Sequence, residues 1–199
     1  MAKTVSAALA AVLLPSLAVA QDAGQIQRLY EAGRYQQVVQ AANPGSPPDV
    51  LYTTAQSQQK LGANDQAAQT YSRLAERPEG DPWHFIGLSG RQLVEGNAPA
   101  SIASARQATA MAPDLPYAHF QLGLALARQQ QWGEAAAAFD AVSERQPTNA
   151  YAYYYGGMMQ YRANRVAEMG VRFEQFLKLA PEAPERPEVL SIMKTLRAR

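Results

Sequence analysis

One apolar pattern recurs along this chain at a spacing of 34 residues, with copies beginning at Pro48, Pro82, Pro116 and Ala150. The fullest copy carries Leu122, Gly123, Leu126, Trp132, Ala135, Phe139, Val142 and Pro147. The next copy answers it in register with Gly156, Gly157, Gln160, Val166, Met169, Phe173, Phe176 and Pro181. A period of this length is one helix-turn-helix unit. Such a unit cannot bury its apolar face alone and has to stack on the following copy. A chain built this way works by presenting a surface, and no insert is large enough to form a second domain.

Counting from the first residue of each copy, position 8 is Ala55, Ser89, Gly123 and Gly157, and position 20 is Ala67, Ser101, Ala135 and Met169. All but Met169 are small, as expected where the paired helices cross and their backbones approach; Met169 departs from this rule and should open the last hairpin slightly. Position 24 (Tyr71, Ala105, Phe139, Phe173) and position 27 (Leu74, Ala108, Val142, Phe176) lie one helical turn apart and form a packing face. Pro113, Pro147 and Pro181 at position 32 end the second helix. Turns inside the pairs are expected near Gly62-Ala63-Asn64, Gly96-Asn97, Gln130-Gln131 and Ala163-Asn164, because Gly and Asn tolerate the left-handed backbone.

Upstream, Ile26, Leu29 and Tyr30, a turn at Gly33-Arg34-Tyr35, and Val38, Val39 and Ala42 sketch a shorter hairpin over 25–45, cut off by the loop Asn43 to Pro48. Downstream, Pro184 to Pro187 lead into a last helix over 184–199. Its Val189, Ile192, Met193 and Leu196 form one apolar stripe, with Lys194, Arg197 and Arg199 on the rest, as suits a solubilising terminal cap.

These features resemble the tetratricopeptide repeat (TPR) family, most fully over 116–181 and most thinly over 25–43. The resemblance implies an all-α, right-handed superhelical solenoid. It would hold a degenerate repeat over 25–45, full repeats over 48–81, 82–115, 116–149 and 150–183, and a C-terminal capping helix. It also implies a protein that binds polypeptides on a concave face built by the first helix of each pair, around positions 2, 5, 9, 12 and 13. Those positions read Asp49, Tyr52, Gln56, Gln59, Lys60; Trp83, Ile86, Gly90, Leu93, Val94; Tyr117, Phe120, Leu124, Ala127, Arg128; and Tyr151, Tyr154, Met158, Tyr161, Arg162.

Two rows stand out as a candidate partner-binding groove. Trp83, Tyr117, Phe120, Tyr151, Tyr154 and Tyr161, with Met158 beside them, offer large rigid rings suited to binding hot spots. Each ring equally suits inter-repeat core, since a solenoid helix is buried on two sides. Lys60, Arg128 and Arg162 share position 13 and would line one wall, where they suit the carboxylates of an acidic partner. The Lys and Asn that clamp chaperone C-termini in some members of the family have no counterparts at positions 5 and 9. Aromatic faces also stack on sugars, so a small-molecule or glycan ligand is the alternative; an enclosed cavity would favour it and an open trough a peptide.

Signals for catalysis are absent. His84 and His119 lack neighbouring acids at metal-ligand spacing. Ser89 and Gly157 occupy the small-residue slot, and no phosphate-binding or dinucleotide-binding loop is present. The expectation is a non-enzymatic interaction scaffold that needs no cofactor. At the N-terminus, Lys3, the apolar run Val5 to Leu17 and Ala18-Val19-Ala20 form the layout of a secretory signal peptide over 1–20. Cleavage would leave 21–199 as the TPR domain, without stable membrane insertion, and 17 basic residues against 17 acidic ones. That balance argues against a nucleic-acid partner. The composition and leader point to a periplasmic or secreted protein, with cell-envelope assembly or secretion as its setting.

Overall fold

A computed structural model describes residues 22–197, with side chains through Thr195. The expected signal peptide over 1–20 lies outside the described residues. Within them the protein is all α, with eleven helices. Helix α1 (Ala23–Glu31) pairs with α2 (Tyr35–Ala41), α3 (Pro48–Lys60) with α4 (Asn64–Ala75), and α5 (Pro82–Val94) with α6 (Ala98–Met111). Helix α7 (Pro116–Arg128) pairs with α8 (Trp132–Arg145), α9 (Ala150–Arg162) with α10 (Val166–Leu179), and α11 (Arg186–Arg197) follows alone. From α2 to α11 each helix packs on the next in chain order, which makes the molecule a helical repeat array.

Local chemistry sets these boundaries. Pro48, Pro82 and Pro116 each open a first helix, where a missing N–H costs nothing and φ is already helical. Asp81, Asn97 and Asn149 cap α5, α6 and α9 by accepting from Trp83, Ala100 and Ala152 N–H. Each intra-pair turn places one residue at positive φ: Gly33, Gly62, Gly96, Gln130 and Asn164, at 72°, 76°, 84°, 60° and 58°. The next residue's N–H reaches back to a carbonyl five residues earlier, for example Ala63 to Gln58 at 2.9 Å and Arg165 to Gln160 at 2.8 Å. This pattern satisfies helix-end carbonyls. Gln130 carries the Cβ strain that glycine avoids at the same position.

Between paired helices, the small-residue slot and position 24 are matched in size. The Phe139 ring fills the space over Gly123, and the Phe173 ring the space over Gly157, so a methyl at either glycine would meet ring carbons at 2.7 and 2.5 Å. Where the slot holds Ser89, position 24 shrinks to Ala105, and Ser89 and Ser101 donate to each other's backbone carbonyl at 2.9 Å. The buried Gln121 extends this polar thread, accepting from Tyr52 Oη at 3.0 Å and donating to Ser89 Oγ at 3.1 Å. On α11, Val189 is fully buried and Ile192 and Met193 pack beside it against the core, while Leu190 faces outward.

The array does not remain open. Its first hairpin touches its last repeat and the turn before α11. The Tyr30 ring packs 4.9 Å from that of Tyr151, and Tyr35 and Tyr151 hydroxyls lie 3.2 Å apart. Glu31 accepts from the Ala150 N–H at 3.3 Å, capping the start of α9 from the far end of the chain. Arg34 pairs with Glu182 at 3.5 Å, and Gly33 abuts the Pro184 ring. Lys60, at the end of α3, donates to Glu185 at 2.7 Å, and Glu185 also accepts from Tyr151 Oη at 2.6 Å. These contacts draw the two ends of the array together.

Burial raises the phenols of Tyr30, Tyr52, Tyr71, Tyr151 and Tyr154 above the ordinary tyrosine range, and the Glu185 and Glu188 carboxylates add to the shift at Tyr151 and Tyr154. Tyr117 is pushed up to about 12 by burial and by the nearby Asp49.

Two outcomes are expected. Gly123→Ala should lose about 1–3 kcal/mol of unfolding free energy in urea by overpacking against Phe139. Gly170→Ala on α10, with open space around it, should be neutral or gain up to ~1 kcal/mol; equal losses at both sites would contradict the socket. The second outcome concerns alkali. Folded-state phenol values raised above the unfolded value near ~10 mean stability fully present below about pH 10 and lost as pH rises further. Helical ellipticity and tyrosinate absorbance should therefore change together above pH ~10. Ionisation of all the tyrosines near that pH with the helices intact would place the rings in water.

Candidate functional site

The C-terminal halves of the first helices converge on a cavity of about 740 Å³ on the inner side of the array. Positions 9, 12 and 13 supply most of its wall: Gln56, Gln59 and Lys60 from α3, Leu93 and Val94 from α5, Leu124, Ala127 and Arg128 from α7, and Met158 and Arg162 from α9. Tyr30 of α1, Trp132 at the start of α8, and Tyr154, Tyr155 and Met159 of α9 complete the rings and sulfurs. Because these helices succeed each other by one repeat, a shared sequence position becomes a shared depth in the cavity.

All three cations of position 13 line this cavity, and among the described residues no carboxylate does. They are not equivalent. Lys60 is held by Glu185, with side chains only 27% and 11% exposed, and its ammonium sits 5.4 and 5.8 Å from the Tyr151 and Tyr155 ring centres. Burial alone would lower the Lys60 ammonium, but Tyr155 and the hydrogen-bonded Glu185 outweigh it and hold the group above the ordinary lysine value. Arg128 and Arg162 are exposed and, among the described residues, have no ion-pair partner. The cavity thus combines a floor of Leu93, Val94, Leu124, Met158 and Met159 with two guanidinium groups free to meet an anion.

The aromatic row divides. Tyr154 and Met158 line the cavity; Trp83, Tyr117, Phe120, Tyr151 and Tyr161 do not. Phe120 and Tyr151 are core rings, buried edge-on against Phe139 and Phe176, so they are corrected from groove-facing to packing positions. Phe139 and Tyr155 cover Phe120, while the first hairpin, through Tyr30 and Tyr35, and Phe176 cover Tyr151. Trp83 and Tyr117 are half-buried and pack with Tyr52 in a separate aromatic cluster, centres 5.0–6.2 Å apart. Tyr161 is exposed beyond the cavity rim.

Several lining residues carry no mark of that role in the sequence. Trp132 falls in the pattern of a second helix, and Tyr30 belongs to the degenerate hairpin. Tyr155 and Met159 fall outside positions 2, 5, 9, 12 and 13. Only the bending of the array brings Tyr30 beside α9, and nothing in local spacing signals that. Both histidines donate to backbone carbonyls of the preceding linker, His84 Nδ1 to Arg77 at 2.9 Å and His119 Nε2 to Pro113 at 2.7 Å. Among the described residues no group of three or more His, Asp or Glu is placed to hold a metal ion, and no helix is long and apolar enough to cross a membrane.

One sequence model of the tetratricopeptide repeat matches residues 91–150 and 120–168, and a second model of the repeat matches 49–79. No curated protein matches the sequence. Among solved structures, TTC0263, a thermophilic TPR protein in Thermus thermophilus, is similar at 20% identity and a TM-score of 0.63, over 86% of this chain and 99% of that one. YrrB, a TPR protein with an unusual peptide-binding site, is similar at 18% identity and a TM-score of 0.54, over 86% and 88%. MamA is similar at 16% identity and a TM-score of 0.51, over 73% and 84%. At these identities the likeness to solved structures is one of fold. With repeat models matching more than half of its length and its hairpins stacked in their register, this chain belongs to the tetratricopeptide repeat family.

Proposed function

We propose that this protein is a non-catalytic adaptor that holds an acidic stretch of a partner polypeptide in the inner cavity, at work in cell-envelope assembly or secretion. The observation that carries the reading is the convergence of Lys60, Arg128 and Arg162 on one cavity whose lining, among the described residues, contains no carboxylate. Guanidinium groups bind carboxylates through paired, charge-assisted hydrogen bonds. The apolar floor beside them accepts aliphatic or aromatic side chains of the same segment. The family supports the class of partner, since tetratricopeptide repeat proteins bind peptides or proteins. The leader pattern over 1–20 supports export, hence a periplasmic or secreted setting, and the even charge balance favours polypeptide over nucleic acid.

A second reading, a glycan or other small ligand, is favoured by one observation. Trp132, Tyr154 and Tyr155 line a cavity of about 740 Å³, inside the ~300–1,000 Å³ range of small-molecule sites.

Anisotropy titration of a labelled acidic peptide and its Glu→Gln counterpart separates the two. The acidic peptide should bind, and its neutral counterpart should bind more weakly. The Arg128→Glu, Arg162→Glu double variant should weaken binding by tenfold or more, about 1.4 kcal/mol, with unchanged melting because both side chains are exposed. Equal binding of both peptides, or indifference to the double variant, would contradict the acidic-polypeptide reading. Saturable binding of neutral oligosaccharides by that variant would support the second.

A further inference from the structure

The turn before α11 reads Pro181-Glu182-Ala183-Pro184-Glu185-Arg186-Pro187-Glu188, a proline-spaced segment with a glutamate at every third residue. All three carboxylates are taken up by donors on the first hairpin or the inner wall of the array. Glu182 pairs with Arg34 at 3.5 Å. Glu185 accepts from Lys60 at 2.7 Å and from Tyr151 Oη at 2.6 Å. Glu188 accepts from Tyr154 Oη at 3.0 Å. Lys60 and Tyr154 are also cavity-lining residues, so the chain's own acidic segment occupies donors at one end of the cavity. Arg128 and Arg162, lining the same cavity, are left to meet a ligand.

We infer that residues 181–188 are a built-in acidic occupant of the Lys60 end of the site, and that the partner is a segment of the same chemistry, with carboxylates spaced by about three residues, which competes with Glu185 for Lys60. This rests on the reading of the cavity as an acidic-polypeptide site. The partner's first carboxylates meet the two free arginines, and full engagement requires Glu185 to leave the Lys60 ammonium. The prolines suit the segment to this role: they pre-set the backbone on either side of Glu185, so little entropy is lost when it docks. The Glu182–Arg34 pair joins two exposed side chains away from the cavity and marks the outer end of the segment.

The probe is a labelled synthetic octapeptide of the 181–188 sequence, titrated into the full mature chain. Glu185→Gln keeps an acceptor for Tyr151 and removes only the negative charge that faces the Lys60 ammonium. It should bind the octapeptide at least about fivefold more tightly than the wild type, and Lys60→Met added to it should abolish the gain. Glu182→Gln should leave affinity unchanged. In the wild-type protein, saturating octapeptide should speed amide hydrogen exchange across 181–188, a readout that stands even if the Glu185 variant folds poorly. Unchanged exchange with the octapeptide bound would overturn the inference, as would unchanged or weaker affinity in a well-folded Glu185→Gln. If that occurs while wild-type binding still depends on Arg128 and Arg162, the acidic-polypeptide reading survives alone. If neither form binds the octapeptide, the inference falls with its ligand, and the cavity reading is then decided by the unrelated acidic peptide.

Discussion

The Glu185 carboxylate, seated between the Lys60 ammonium and the Tyr151 hydroxyl, joins the first full repeat to the end of the last. Without that junction and the first-hairpin contacts around it, five stacked hairpins would make an array in which each unit meets only its neighbours. With it, residues separated by well over a hundred positions become contacts, and Tyr30, Tyr35 and Tyr151 close into one aromatic block. Hydrogen bonds to charged groups contribute about 1.5–3 kcal/mol each, and Glu185 accepts two. The exposed Arg34–Glu182 pair adds little by comparison, because water and salt screen it.

The junction also sorts the inner face into two chemistries. Toward the N-terminal ends of the first helices, rings pack on rings and the phenols are kept neutral by burial. Toward their C-terminal ends the same helices carry position 13, and there the cations gather around open space. Helix geometry reinforces this arrangement: Lys60, Arg128 and Arg162 each stand in the last turn of their helix, where the dipole favours positive charge. The site thus destabilises the fold little, because its charges sit where the helices already accept them.

Much of the fold was legible in the sequence, and for a physical reason. The starts of α3, α5, α7 and α9 at Pro48, Pro82, Pro116 and Ala150 follow from the 34-residue period. The slot at position 8 follows from the pairing of Gly123 with Phe139 and Gly157 with Phe173, a requirement written locally within each copy. The cation row was legible for the same reason, being one position repeated. The closure was not. Glu185 and Lys60 lie 125 positions apart, in segments that do not share a repeat register, and the curvature that joins them accumulates from small rotations at every interface. That is also why Phe120 and Tyr151 read as groove residues: periodicity assigns a face, and only the bent array shows which end of that face is covered.

The claim that the two ends of the array are joined is open to a direct distance measurement. The chain has no cysteine, so spin labels can be placed singly at Gln36→Cys on α2 and Ser191→Cys on α11, both on exposed positions. Pulsed electron–electron double resonance on the doubly labelled protein should give one narrow, short distance distribution. A broad distribution extending to long distances would mean that the first hairpin swings free of the last repeat, and would contradict the junction.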